Sequence, residues 1–212
     1  MKKSITVPLT ISALMLSGLG AGSFGLASFA VNGKRQTIAE ALAWQKEHSH
    51  IDWFDPAMAE PFSVTSYDGY ILQGAIVRCA APSERYVILS HGYTDNRYGN
   101  LKYMKIYLDA GFNCITYDLR GHGANEKTFC TYSIREAKDL QCIIKDTRSR
   151  YGEAITLGLH GESLGAATTA AVLGYEQDLS FAVADCGFAD IINVLQVGLR
   201  GMHLPAWLVY PA

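Results

Sequence analysis

The sequence predicts an α/β fold, a mostly parallel sheet with helices on both faces. Three observations predict it. Short apolar runs alternate with longer segments of helical period from Tyr86 to Asp185, which is the signature of strands joined by helical crossovers. Polar residues gather at the carboxyl ends of those runs: His91-Gly92-Tyr93, Asp118 to Gly123, Ser163 and Asp185. Open parallel sheets bind their ligands there. The third observation is the stretch from Ile155 to Gly165, an apolar run that closes in Gly161-Glu162-Ser163-Leu164-Gly165 and passes into an Ala-rich helical segment.

The chain has 212 residues, 49% of them hydrophobic, and a formal charge of −2. That suits one globular domain of ordinary size. It carries no basic stripe, so a nucleic-acid partner is not expected. The five cysteines form no C-x-x-C and no metal-ligand spacing, and the odd count argues against a full disulfide framework. Cys114 and Cys142 lie in apolar periodic segments and are expected as small buried hydrophobes.

After Met1-Lys2-Lys3 no residue is charged from Ser4 to Asn32. Such a run can span a bilayer. It exceeds a usual signal-peptide core, which favours an uncleaved anchor over a cleaved signal ending at Ser28-Phe29-Ala30. The domain is expected on the extracytoplasmic face, membrane-anchored or, if the segment is cleaved, secreted. Gly20 to Gly25 spells G-x-G-x-x-G, but no strand precedes it, so small residues in a membrane segment explain it better than a dinucleotide site.

The segments then follow in order. Thr37 to Glu40 is a capping box that starts a helix to about His48. His48 and His50 are expected at the surface. Phe62–Tyr67 and Tyr70–Cys79 read as strands joined by an Asp68-Gly69 hairpin turn. Tyr86–Ser90 reads as a strand buried on both faces. Asn100 to Ala110 reads as a helix through Leu101, Met104, Ile106 and Leu108, closed by Gly111. Cys114–Tyr117 is the next strand. Ser133 to Glu136 is a second capping box, opening a helix to about Arg150 with Ile134, Ala137, Leu140, Ile143 and Ile144 on one face. Phe181–Asp185 reads as one more buried strand, and a helix runs from Asp190 to about Leu199.

The motif G-x-S-x-G between strand and helix is a nucleophile elbow. A serine on so sharp a turn takes a strained backbone, and glycines two positions to either side avoid collision with strand and helix. The turn lifts the hydroxyl clear of the sheet and aims the first N–H groups of the helix at whatever it attacks.

His91-Gly92, Asp118-x-Arg120-Gly121-x-Gly123 and Gly161-x-Ser163-x-Gly165, in this order, resemble the motifs of the α/β-hydrolases over residues 62–188. Within that family the chain is similar to bacterial membrane-anchored hydrolases of the serine aminopeptidase and monoglyceride-lipase branch. The resemblance implies Ser163 as nucleophile and the backbone N–H groups of Tyr93 and Leu164 as oxyanion hole. It implies that Asp118 and Arg120 brace loops, with His122 in the same turn. It implies no metal, no organic cofactor, and a small-molecule, peptide or lipid substrate with an ester, thioester or amide bond.

A serine needs a general base, normally a histidine held by an acid. In this family both follow the serine in the chain, acid before histidine. The sequence therefore reads as an α/β-hydrolase fold with its last strands and most of its lid absent: residues 1–33 anchor or signal, 34–61 helix and linker, 62–212 incomplete hydrolase domain. Phe181–Asp185 would then be an apolar edge. Asp185 is a candidate acid or a plain strand-end residue; His203 is a candidate base or part of the lid. Two functions stay open: a serine hydrolase, or a non-catalytic binding protein or inactive remnant on the same fold. An acyltransferase would use the same serine.

Overall fold

The hairpin at Asp68-Gly69 opens the sheet. Strands β1 (Ala59–Thr65) and β2 (Ile71–Val77) pair antiparallel, with Thr65 opposite Ile71. Gly69 takes φ +85° in the turn, a conformation glycine adopts without steric cost. This computed structural model describes residues 22–210. Strands β3 (Arg85–Ser90), β4 (Asn113–Tyr117), β5 (Thr156–Glu162) and β6 (Phe181–Asp185) complete one sheet in the order β1-β2-β4-β3-β5-β6. β2 meets β4 antiparallel, and β4, β3, β5 and β6 are all parallel.

Alternation along the strands divides the core in two. On β3, Tyr86 and Ile88 join one cluster while Val87 and Leu89 join the other, as the two-residue period of a strand requires. The first cluster is closed by helix α4 (Ile134–Tyr151) and helix α5 (Leu164–Val172), through Leu140, Ile143, Ile144, Leu164 and Val172. The second is closed by Leu101 and Met104 of helix α3 (Leu101–Asp109), with Ile51 and Phe54. Both faces of β3 and β4 are therefore dry, and their ends can hold side chains in fixed positions. Helix α2 (Ile38–His48) starts at the expected capping box: Thr37 Oγ1 accepts from Glu40 N–H at 3.2 Å, and Glu40 accepts from Thr37 N–H at 2.8 Å.

Three expectations need correction. Phe181–Asp185 is a strand but not a buried one: it pairs on one side with β5 and is largely exposed, Val183 to 38%, which is the apolar edge that the second reading of this stretch expected. Ile134 and Ile106 are exposed. Ile134 is the first residue of α4, and α3 buries only Leu101 and Met104. Cys114 is buried as expected, whereas Cys142 is half-buried beside Ser66; the five cysteines are free.

Residues Lys34–Ala189 form one compact unit, and the other described residues fall in a second. The second contains helical residues 22–32 (α1), helix α6 (Ile191–Gly201) capped by Asp190, and a short 3₁₀ turn at Ala206–Val209. Among the described residues no helix is long and apolar enough to cross a membrane. Most of the expected anchor, residues 1–21, and the start of its G-x-G-x-x-G lie outside the described residues.

Candidate active site

The turn from β5 into α5 puts its strain on the serine. Ser163 has φ +52° and ψ −110°, a region that a residue with a Cβ holds only where its surroundings impose it. The surroundings are visible. Ser163 N–H donates to Asp185 O on β6 at 2.9 Å, and Ser163 O accepts from Ala167 N–H at 3.0 Å. A Cβ on Gly161 would lie 2.1 Å from Gly165 O, and a Cβ on Gly165 would lie 2.0 Å from Ser90 O. Both obstacles are backbone, so neither can swing aside. Leu164 and Gly165 open α5, where N–H groups have no intrahelical acceptor and the helix end is partly positive.

The loop after β3 runs past this turn. A Cβ on Gly92 would sit 3.6 Å from Ser163 Cβ, so the backbone leading to Tyr93 faces the serine with room for one methyl between them. His91 anchors the loop from below. It is fully buried; its Nε2 accepts from Leu119 N–H at 2.9 Å, and its Nδ1–H donates to Gly92 O at 2.8 Å. That pair of bonds fixes the neutral tautomer, and burial lowers its pKa. The Tyr93 ring stacks on Tyr132 and meets His122 edge-on, and Thr94 follows at φ +73°.

The turn after β4 is held by charge. Asp118 is fully buried and accepts from the Arg97 guanidinium at 2.7 Å, Arg97 N–H at 2.8 Å and Ala124 N–H at 2.9 Å. Arg120 bridges Asp139 at 2.6 Å and Asp68 at 2.9 Å, and Ser66 Oγ also donates to Asp139. Burial raises the Asp139 pKa against the pull of Arg120. The bracing role expected of Asp118 and Arg120 fits these contacts. His122 Nδ1–H donates to Arg120 O at 2.8 Å, its Nε2 is enclosed, and burial presses its pKa down to about 2. So weak a base is poorly matched to proton abstraction near neutral pH.

The model of the hydrolase family described as serine aminopeptidase, S33, matches residues 81–191, which span β3, β4, β5, β6 and the three loops above. The chain belongs to this α/β-hydrolase family. An uncharacterised protein of Bacillus subtilis, YqkD, is 30% identical over 185 residues, which is 84% of this chain and 60% of YqkD. A Pyrococcus furiosus esterase superposes with a TM-score of 0.60 at 27% identity, covering 72% of this chain and 60% of the esterase. The chain thus spans about three fifths of the length of these relatives. A Bacillus coagulans carboxyl esterase, at 17% identity and a TM-score of 0.53, covers 68% of this chain and 50% of its own and shares the fold.

Residues that sequence reasoning passed over crowd the far side of the elbow. Lys102 Nζ lies 2.6 Å from Glu162 Oε1, next to Ser163. Tyr103 O–H donates to Asp185 Oδ2 at 2.5 Å, and its ring packs on His160 at 4.2 Å. His160 Nδ1 pairs with Tyr107 O–H at 3.0 Å, and burial lowers its pKa. Tyr103 and Tyr107 sit one turn apart on α3, a sequence signal that groups those two; Lys102 is next to Tyr103. His203 lies in the second unit, just after α6. Among the described residues no group of three His, Cys, Asp or Glu side chains is arranged to hold a metal.

Proposed function

We propose that the protein is a serine hydrolase that cleaves an ester, thioester or amide through an acyl-Ser163 intermediate. The observation that carries this reading is the strained backbone of Ser163 at the head of α5, with Gly92 facing it across a gap that one added methyl would close. Ser163 Oγ attacks the carbonyl carbon and loses its proton to a base. The negative oxygen of the tetrahedral intermediate is stabilised by the N–H groups of Leu164 and Tyr93. Collapse expels the alcohol, thiol or amine with a proton, and water then releases the acid and regenerates the serine. We assign the base to none of His91, His122 and His160, whose ring nitrogens are bonded elsewhere or enclosed. Asp185 is engaged by Tyr103, which disfavours it as the triad acid. Anchoring through residues 1–33, with the domain outside the cytoplasm, belongs to the same proposal; release of the whole gene product from membranes by carbonate would count against it.

The same three histidines favour a second reading, a non-catalytic binding protein on this fold. One experiment separates the two. A fluorophosphonate should label the whole gene product, and Ser163→Ala should abolish the labelling. An unlabelled wild-type protein that binds its ligand normally would leave the binding reading standing.

A further inference from the structure

The segment just before α2 lies across the loop that follows β3. Arg35 Nη1 donates to Gly121 O at 2.5 Å and to Thr128 O at 2.8 Å, and the guanidinium lies 5.9 Å from the centre of the Tyr93 ring. One residue on, Gln36 N–H donates to Thr94 O at 2.6 Å. Asn96 Nδ2 returns the bond to Thr37 O at 3.0 Å. A Cβ on Gly121 would lie 2.3 Å from Arg35 Nη1, so that position is open because the arginine fills it. These bonds join residues 58 to 93 positions apart and bracket Tyr93 and Thr94, the latter in the left-handed region at φ +73°. An exposed non-glycine loop does not hold that conformation unaided.

We infer that residues 35–37 form a strap that positions the Tyr93 backbone beside Ser163, with Arg35 as its positioning residue. The inference rests on the reading of Tyr93 N–H as an oxyanion donor. Arg35 touches no reacting atom. It packs on the Tyr93 ring and ties it to the Gly121 and Thr128 carbonyls, so its loss lets the donor wander while the rest of the pocket stays. A donor displaced by an ångström can lower turnover by up to about 100-fold, and such a loss falls on kcat and leaves KM in place.

The test uses the whole gene product, with 4-nitrophenyl acetate as substrate and amide hydrogen exchange as a second reading. In Arg35→Met, the Gln36 and Asp95 amides should exchange faster, kcat should fall, and KM should hold. Arg35→Lys, which can reach one carbonyl but not both, should lie between, and millimolar guanidinium should restore part of the turnover of Arg35→Gly. Lys34→Ala, at an exposed neighbour, should match wild type. Wild-type exchange in Arg35→Met, or faster exchange with unchanged kcat, overturns the inference. If Arg35→Met does not fold, Arg35→Lys decides by the same two readings. Ester turnover that survives in Ser163→Ala would sink the reading of the serine and not the strap, which is then judged on exchange.

Discussion

Two turns end the parallel strands that flank β3, and each carries a pair of glycines for a different reason. In the turn after β4, Gly121 and Gly123 themselves take positive φ, +72° and +55°. Their missing side chains make room for polar groups: Arg35 at Gly121, the Asp118 carboxylate at Gly123. In the turn after β5 the positive φ falls on Ser163, and Gly161 and Gly165 make room for backbone. The first turn is held by charged side chains, the second by backbone hydrogen bonds and steric exclusion. A glycine motif in a sequence therefore does not say which residue is strained, nor what occupies the space beside it.

The largest expected effect breaks the charged turn. Arg120→Met strands Asp139 in the interior, and removal of one partner of a buried pair costs about 3–5 kcal/mol. Urea unfolding at pH 7 measures it. The loss should shrink as the pH is lowered and Asp139, its pKa already raised by burial, takes up a proton. A cost below about 1 kcal/mol would mean the turn is not held by charge. Next is the steric turn. Gly165→Ala drives a methyl into Ser90 O, and overpacking of that kind costs about 1–3 kcal/mol. Fluorophosphonate labelling should be lost beyond what the stability change explains, because the serine moves with the turn.

The smallest effect separates the turns by pH. His91 and His122 stay neutral in the folded state, their pKa values lowered by burial. Above the unfolded value of about 6.5 neither state binds the extra proton, and their contribution is fully present. Below it the unfolded chain protonates and the folded one does not, so stability falls with pH by up to about 1.4 kcal/mol per unit for each histidine. For His122 this continues towards about 2. Asp95 and Asp139, raised by burial, act in the opposite sense, so over pH 7 to 5.5 the difference between wild type and His122→Asn isolates the histidine. Urea midpoints across that range should fall in wild type and fall less in His122→Asn. A flat wild-type profile would mean these histidines are accessible to protons.

What the sequence revealed was local. Strand periods, the hairpin at Gly69, the capping box at Thr37 and the three loop motifs each lie within a few residues of one another, and each has one geometry that satisfies its backbone. What it concealed was pairing across distance. Arg35 meets Gly121 across 86 positions, and Tyr103 meets Asp185 across 82. Neither contact leaves a periodic trace. The neutral state of His91 was equally hidden, because it follows from two backbone partners set by the fold.

The bond from Ser163 N–H to Asp185 O also sets an order of events. A chain emerges from the ribosome N-terminus first. When Ser163 has left the exit tunnel and Asp185 has not, the acceptor that closes the turn is missing. We expect the serine to stay unreactive toward acylating agents until β6 arrives, so that the growing polypeptide is inert while it is being made. Ribosome-arrested chains of increasing length, probed with a fluorophosphonate, should be silent until Asp185 has emerged; labelling of shorter chains would show that the turn closes without it.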